Sequence, residues 1–327
     1  MGQAIAAAGA VRRRVSPRPW VGAVVVPAEE PSHPGFEGAT EGRTGPHAEV
    51  VALNAAGERA RGATLYVTLE PCSHQGLTPP CADAVIEAGI ARVVVGIADP
   101  DTKVSGSGIQ RLRDAGIEVS VGCRGAEVAK QLAPYVHHRT TGRPFVVVKM
   151  ASTLDGATAA ADGSSQWITG DEARLDAHRL RADSDAILVG AGTVRVDNPS
   201  LTVRLPDVER HPLDAEPLRV VLGTAPKDAA IRPCLEYSGD LGALLDDLGA
   251  RGILQLMVEG GARVASAFHG AGLVDRYVLY VAPAFSGGEG ALGLFSGPGA
   301  SSIDEFWRGR IVDIARVGDD LRLEIEA

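Results

Sequence analysis

Cysteine is scarce in this chain. Its four residues, Cys72, Cys81, Cys123 and Cys234, are too few and too scattered to staple 327 residues with disulfides. Metal binding or simple burial is their expected use. No window reaches the ~18 uninterrupted apolar residues that a membrane span needs. A secretory leader is not indicated, because the basic cluster that includes Arg13 follows the first apolar stretch instead of preceding it. A cytoplasmic protein with no membrane partner is expected. A basic stripe is also missing: the net charge is −9 and the Lys and Arg residues are dispersed, so nucleic acid is not an expected partner. There is no internal repeat and no low-complexity tract.

With 45% apolar residues and unremarkable Gly, Pro and charge contents, the chain is globular and too long for one average domain. Strand-like runs at 21–26, 64–69, 92–97 and 118–121 alternate with helical patterns at 48–59, 81–88 and 109–115. A polar stretch, His137-His138-Arg139-Thr140-Thr141-Gly142-Arg143-Pro144, then breaks the pattern, and Pro144 opposes continuation of a helix. It reads as the boundary between domains at 1–143 and 144–327. Beyond it, strand-like runs at 145–150, 186–189, 218–222, 253–258 and 277–281 alternate with helices at 171–181 and 262–271, and residues 311–325 read as a terminal hairpin. Both halves are therefore α/β.

His47-Ala48-Glu49 opens a helix, Pro71-Cys72 follows a strand, and Cys81 begins another helix after Pro79-Pro80. One imidazole and two thiolates fill three tetrahedral zinc positions and leave the fourth for water, which marks a catalytic rather than a closed structural site. Helix N-termini favour the thiolate form, so both sulfurs stand where ligation is easy. Glu49, two residues past His47, reaches the same place without being a ligand and suits a proton shuttle. Singly, each residue is better read as buried packing. Together, H-x-E followed by P-C and a second Cys is the pattern of zinc nucleobase deaminases, here with the cysteines nine apart.

The longer loop, Glu70-Pro71-Cys72-Ser73-His74-Gln75-Gly76-Leu77-Thr78-Pro79-Pro80-Cys81, resembles that of the riboflavin-pathway deaminases fused to a reductase. Residues 21–26, Gly45-Pro46-His47-Ala48-Glu49-Val50, Tyr66-Val67-Thr68-Leu69-Glu70 and Asp99-Pro100 match that family in order. The resemblance implies a cytidine-deaminase-like α/β/α domain with one zinc per chain, acting on a small-molecule phosphoribosylaminopyrimidine. It also implies that Arg18, His74 and Asp101 contact the substrate. Arg18 and Asp101 stand where the family commonly has Asn, and Leu77 stands where a basic residue usually helps grip the phosphate. Either Arg18 supplies the charge that Leu77 lacks, or the domain has diverged to another aminopyrimidine or aminopurine in secondary metabolism.

In the second half, Gly190-Ala191-Gly192 follows a strand, but Arg195 occupies the place where a dinucleotide fingerprint needs its third Gly. A Rossmann site is not indicated. The ordered set Lys149, Thr153-Leu154-Asp155-Gly156, Ser165-Gln166-Trp167-Ile168-Thr169, Asp197-Asn198-Pro199 and Val258-Glu259-Gly260-Gly261 resembles the family's reductase half. That resemblance implies a dihydrofolate-reductase-like α/β domain using NADPH, and a tendency to form homo-oligomers. It places Lys149, Thr169, Arg181, Asp197, Arg204 and Glu259 around the substrate, with Lys149 and Asp197 for proton handling. It places Gly190, Gly192, Thr193, Gly260 and Gly261 against the cofactor. Two arginines suit a phosphate, since each guanidinium offers a planar fork of donors.

Overall fold

In the computed structural model, all residues are described except Pro31, 76–78, 102–104, 207–208, Arg210, 212–213, Glu289 and Ala327. The chain divides into two units, Met1–Gly142 and Arg143–Ala327. Both are α/β, as expected from the alternation of strand-like and helical segments. Among the described residues no helix is long and apolar enough to cross a membrane.

The first unit runs α1 (Gly2–Gly9), α2 (Arg12–Val15), β1 (Gly22–Val26), β2 (Phe36–Ala39), α3 (Ala48–Ala56), β3 (Thr64–Leu69), α4 (Cys81–Glu87), β4 (Arg92–Ile97), α5 (Ser107–Asp114), β5 (Glu118–Val121), α6 (Gly125–Gln131) and α7 (Ala133–Thr141). Its strands form one sheet in the order β2-β1-β3-β4-β5, with β1 antiparallel to both neighbours and β3, β4 and β5 parallel. The Val-rich runs β1 and β4 are buried along most of their length, as strands covered on both faces must be. Where α3 crosses β2, a Cβ on Gly38 would fall 2.3 Å from the Ala48 carbonyl oxygen. Only glycine lets the helix lie so close. The start of α3, capped by His47, is thereby held against the sheet.

The polar stretch expected to interrupt the pattern is instead helical. Residues His137 to Thr141 complete α7, which stops at Gly142 with φ +78. Burial of Pro134 and Tyr135 docks one side of this helix, so its polar residues can stay outside without unwinding it.

The second unit runs β6 (Phe145–Thr153), β7 (Ala157–Ala159), α8 (Asp171–Ala182), β8 (Ala186–Gly190), α9 (Ala191–Asp197), β9 (Leu218–Leu222), β10 (Leu235–Tyr237), α10 (Leu241–Ala250), β11 (Gln255–Val258), α11 (Ala262–Gly270), β12 (Arg276–Ala282), β13 (Leu292–Gly293), β14 (Arg310–Val317) and β15 (Asp320–Glu326). Its main sheet has the order β10-β9-β8-β11-β6-β12-β15-β14, parallel through β12 and closed at one edge by the antiparallel hairpin β14–β15. One face packs Val146, Val148 and Leu188 against Leu244, Leu248 and Phe268, which come from α10 and α11. The other packs Ile187, Val189 and Met257 against Val194 and Leu180, from α9 and α8. Period-2 alternation along β6 therefore turns Lys149 toward the α8 and α9 face.

Candidate active sites

His47 caps α3, Cys81 is the first residue of α4, and Cys72 follows β3. Their ligand atoms all lie within 4.8 Å of one another. Nδ1 of His47 is the convergent nitrogen, 3.6 Å from Cys72 Sγ and 3.1 Å from Cys81 Sγ. The Cys81 backbone N–H donates to Cys72 Sγ at 3.3 Å, and the Ala82 N–H to the Cys72 carbonyl at 3.0 Å, which fastens the loop to the helix start. A hydrogen bond from Cys81, aided by His47, holds the Cys72 thiol down at about 4, well below the ordinary thiol range. The same bond and burial push the Cys81 thiol up. Two thiols that cannot both ionise alone, facing one imidazole nitrogen, are a donor set that a divalent cation satisfies.

Glu49, on the first turn of α3, is only 3% exposed. Burial lifts its carboxyl to about 7; a cation held by the neighbouring ligands would lower it. Glu49, His47 and Cys72 share a cavity of about 200 Å³ with Arg18, His74, Asp99, Asp101, Tyr135 and Arg139. Glu70, two residues before Cys72, spends both carboxylate oxygens on backbone N–H groups, of Gly108 and Ile109 on one and Asp99 and Gly106 on the other, at 2.9–3.1 Å. It ties the start of α5 and the loop after β4 to the metal loop. Arg18 donates from Nη1 to the carbonyls of Gly42 and Gly45 at 3.2 and 3.0 Å, bracing the segment just before His47.

The second unit holds a larger cavity, about 790 Å³, over the α8 side of its sheet. The half-buried Glu259 carboxylate organises it. Arg181 donates to Glu259 Oε2 at 2.8 Å, and Lys149 Nζ lies 3.7 Å from Oε1. Burial works against the Glu259 charge, yet Arg181 and Lys149 outweigh it and hold the carboxyl below its usual range. Arg181 also donates to the Thr202 carbonyl at 2.8 Å, so most of its fork is engaged within the protein. His178 stands between Arg181 and the Arg204 backbone, 3.3 and 3.2 Å from the two nitrogens. Thr169, Asp197 and Arg204 line the same cavity.

The family model for the RibD C-terminal domain matches residues 144–323, and that for the cytidine and deoxycytidylate deaminase zinc-binding region matches residues 1–97. The chain is 42% identical over 335 residues to the riboflavin biosynthesis protein RibD of Mycobacterium tuberculosis, covering 100% of this chain and 96% of that one. It belongs to the RibD family. The Escherichia coli RibD is 37% identical, with 99% and 98% covered. Among solved structures, Acinetobacter baumannii RibD superposes with a TM-score of 0.91 at 36% identity, covering 99% of this chain and 97% of the other. A Thermotoga maritima structure described as a diaminohydroxyphosphoribosylaminopyrimidine deaminase and 5-amino-6-(5-phosphoribosylamino)uracil reductase gives 0.87 at 36%, with 100% and 97% covered. This RibD-family chain is a bifunctional enzyme of riboflavin biosynthesis, with a zinc-binding deaminase domain and a reductase domain of the NADPH-using kind.

Most of the residues singled out in the sequence gather in these two cavities. Leu77 lies outside the described residues. Thr193 lines the large cavity, while the four glycines Gly190, Gly192, Gly260 and Gly261 gather at the starts of α9 and α11. A Cβ on Gly190 or Gly260 would press on Val264 at 2.9 or 2.7 Å, whereas nothing lies within 4 Å of one on Gly192. Among the cavity residues to which the sequence assigned no role are Tyr135, Arg139, His178 and Trp167. His178, one turn before Arg181 on α8, could have been found from that i,i+3 spacing. Trp167 lies over the Arg174 guanidinium, 4.6 Å from ring to charge, and carried no comparable signal.

Proposed function

We propose that residues 1–143 deaminate 2,5-diamino-6-(5-phosphoribosylamino)pyrimidin-4-one, and that residues 144–327 then reduce the ribosyl group of the product to ribityl with NADPH. The observation that carries this reading is the buried Glu49 carboxylate in one cavity with His47 and Cys72, whose ligand atoms converge with that of Cys81. His47, Cys72 and Cys81 hold one zinc ion per chain. Zinc supplies the Lewis acid that makes water nucleophilic near neutral pH. Glu49 moves the protons, taking one from the attacking water and delivering it to the departing amino group. Arg18, His74 and Asp101 hold the substrate over it. Near-full-length identity to RibD proteins favours this pathway role over a diverged paralogue acting on another aminopyrimidine or aminopurine.

In the second domain NADPH supplies the hydride. The open surface at Gly192, with Gly190, Thr193, Gly260 and Gly261 around it, supports a close approach of that cofactor. Lys149 and Asp197 handle the proton that accompanies reduction, and Thr169, Arg181, Arg204 and Glu259 position the ribosyl phosphate end. Glu259 does so through the two cations it holds. The enzyme works in the cytoplasm on a small molecule, with neither nucleic acid nor membrane as partner. Self-association is supported by the outer strand β14, where Ile311 and Ile314 are 53% and 61% exposed at the end of the sheet.

The test is joint measurement of zinc content and ammonia release on the phosphorylated diaminopyrimidinone. Wild type should hold one zinc and release ammonia, and a Cys72→Ala, Cys81→Ala double variant should do neither. Full zinc content in the double variant removes this metal site, and a zinc-loaded wild type inert toward the substrate removes the substrate assignment.

A further inference from the structure

We propose that Arg139, steadied by Tyr135, grips the phosphate of the deaminase substrate. This rests on the deaminase reading above and concerns which cation of that cavity is left for an anion. Besides the ligand His47, the described cavity wall carries three side chains able to bear positive charge: Arg18, His74 and Arg139. Arg18 spends Nη1 on the Gly42 and Gly45 carbonyls, and its electrostatic neighbours are Cys72, Cys81 and Glu49. It stands at the metal end, where the reacting ring carbon must be. The phosphate is a whole sugar away from that carbon.

Two carboxylates of the wall are also committed. Glu70 is saturated by four backbone N–H groups, and Asp99 accepts from the Asp101 N–H at 2.9 Å and the Tyr135 hydroxyl at 3.3 Å. Arg139 differs. It is exposed, it has no carboxylate within ion-pair distance among the described residues, and its guanidinium lies 5.1 Å from the Tyr135 ring centroid. Tyr135 is buried, and its hydroxyl is fixed by Asp99, so the ring is a firm platform one turn before Arg139 on α7. The ring contact and a hydrogen bond with Tyr135 restrict the long side chain, while the other donors of the planar guanidinium stay available to an anion. A planar fork of donors presented in this way fits a phosphate monoester.

The experiment compares Arg139→Ala and Arg139→Lys with wild type in the full chain. Ammonia release is measured on the phosphorylated diaminopyrimidinone and on its dephosphorylated form, with zinc content recorded. Loss of one charge-assisted contact predicts that Arg139→Ala raises KM for the phosphorylated substrate roughly 10- to 100-fold, with kcat close to wild type and zinc retained. The preference for the phosphorylated form should shrink by the same factor, and Arg139→Lys should recover part of it. An unchanged KM in Arg139→Ala, with wild type still preferring the phosphorylated form, overturns the role of Arg139 and leaves the deaminase reading intact. A wild type indifferent to the phosphate overturns both.

Discussion

At the scale of single residues, His178 carries the most chemical information that the sequence hid. The Arg204 backbone N–H and the Arg181 guanidinium are both donors, so Nδ1 of His178 must be the acceptor and its ring proton sits on Nε2. Burial, then the charges of Arg181 and Arg204, push this imidazole down to about 4. The unfolded chain takes up that proton near pH 6.5, but the fold resists it until about pH 4. The unfolded state thus binds more protons across this window, and stability falls as pH is lowered from about 6.5 toward 4. Thermal unfolding at pH 7 and pH 5 should show a larger loss in wild type than in His178→Asn, whose Oδ1 can still accept from Arg204. Equal losses in the two proteins would remove His178 from the account.

At the scale of elements, two glycines make opposite predictions. A Cβ on Gly108 would fall 1.8 Å from the Pro71 carbonyl oxygen, because the start of α5 lies directly on the metal loop. Gly108→Ala should destabilise the deaminase domain by about 2 kcal/mol and weaken zinc retention against a chelator. Unchanged zinc release would mean that α5 does not position the loop. Gly192, in α9, has open space where its Cβ would be. Gly192→Ala should leave the reductase domain as stable or up to ~1 kcal/mol more so, since alanine favours a helix, while raising KM for NADPH. A stable variant with unaltered KM would place the cofactor elsewhere.

The same elements show what was legible in the sequence. Strands β3, β4, β5 and β9 fall on the residues expected, because bounded runs of β-branched residues have few alternatives. The convergence of His47, Cys72 and Cys81 was legible because His47 and Cys81 stand at helix starts and Cys72 follows a strand, each marked by an adjacent proline. Helix α7 was not, since His137-His138-Arg139-Thr140-Thr141 has no apolar period of its own and depends on burial of Pro134 and Tyr135 upstream. Missing α7 meant missing Arg139. Short pieces such as β2, β7 and β10 owe their form to neighbouring strands and carry little local signal.

At the scale of the whole molecule, each unit has its own sheet, its own core and its own cavity. The central claim is that two separately folded domains carry two reactions, with Glu49 essential to the first alone. Glu49→Gln keeps the shape of the side chain but removes its capacity to carry a proton. The deciding measurement follows ammonia and NADPH in this one variant, given first the phosphorylated diaminopyrimidinone and then the deaminated phosphoribosylaminouracil. The expected result is full zinc content, ammonia release reduced by roughly 10²–10⁴-fold, and NADPH oxidation on the deaminated compound at the wild-type rate. Ammonia release near the wild-type rate, or loss of NADPH oxidation together with deamination, would contradict it.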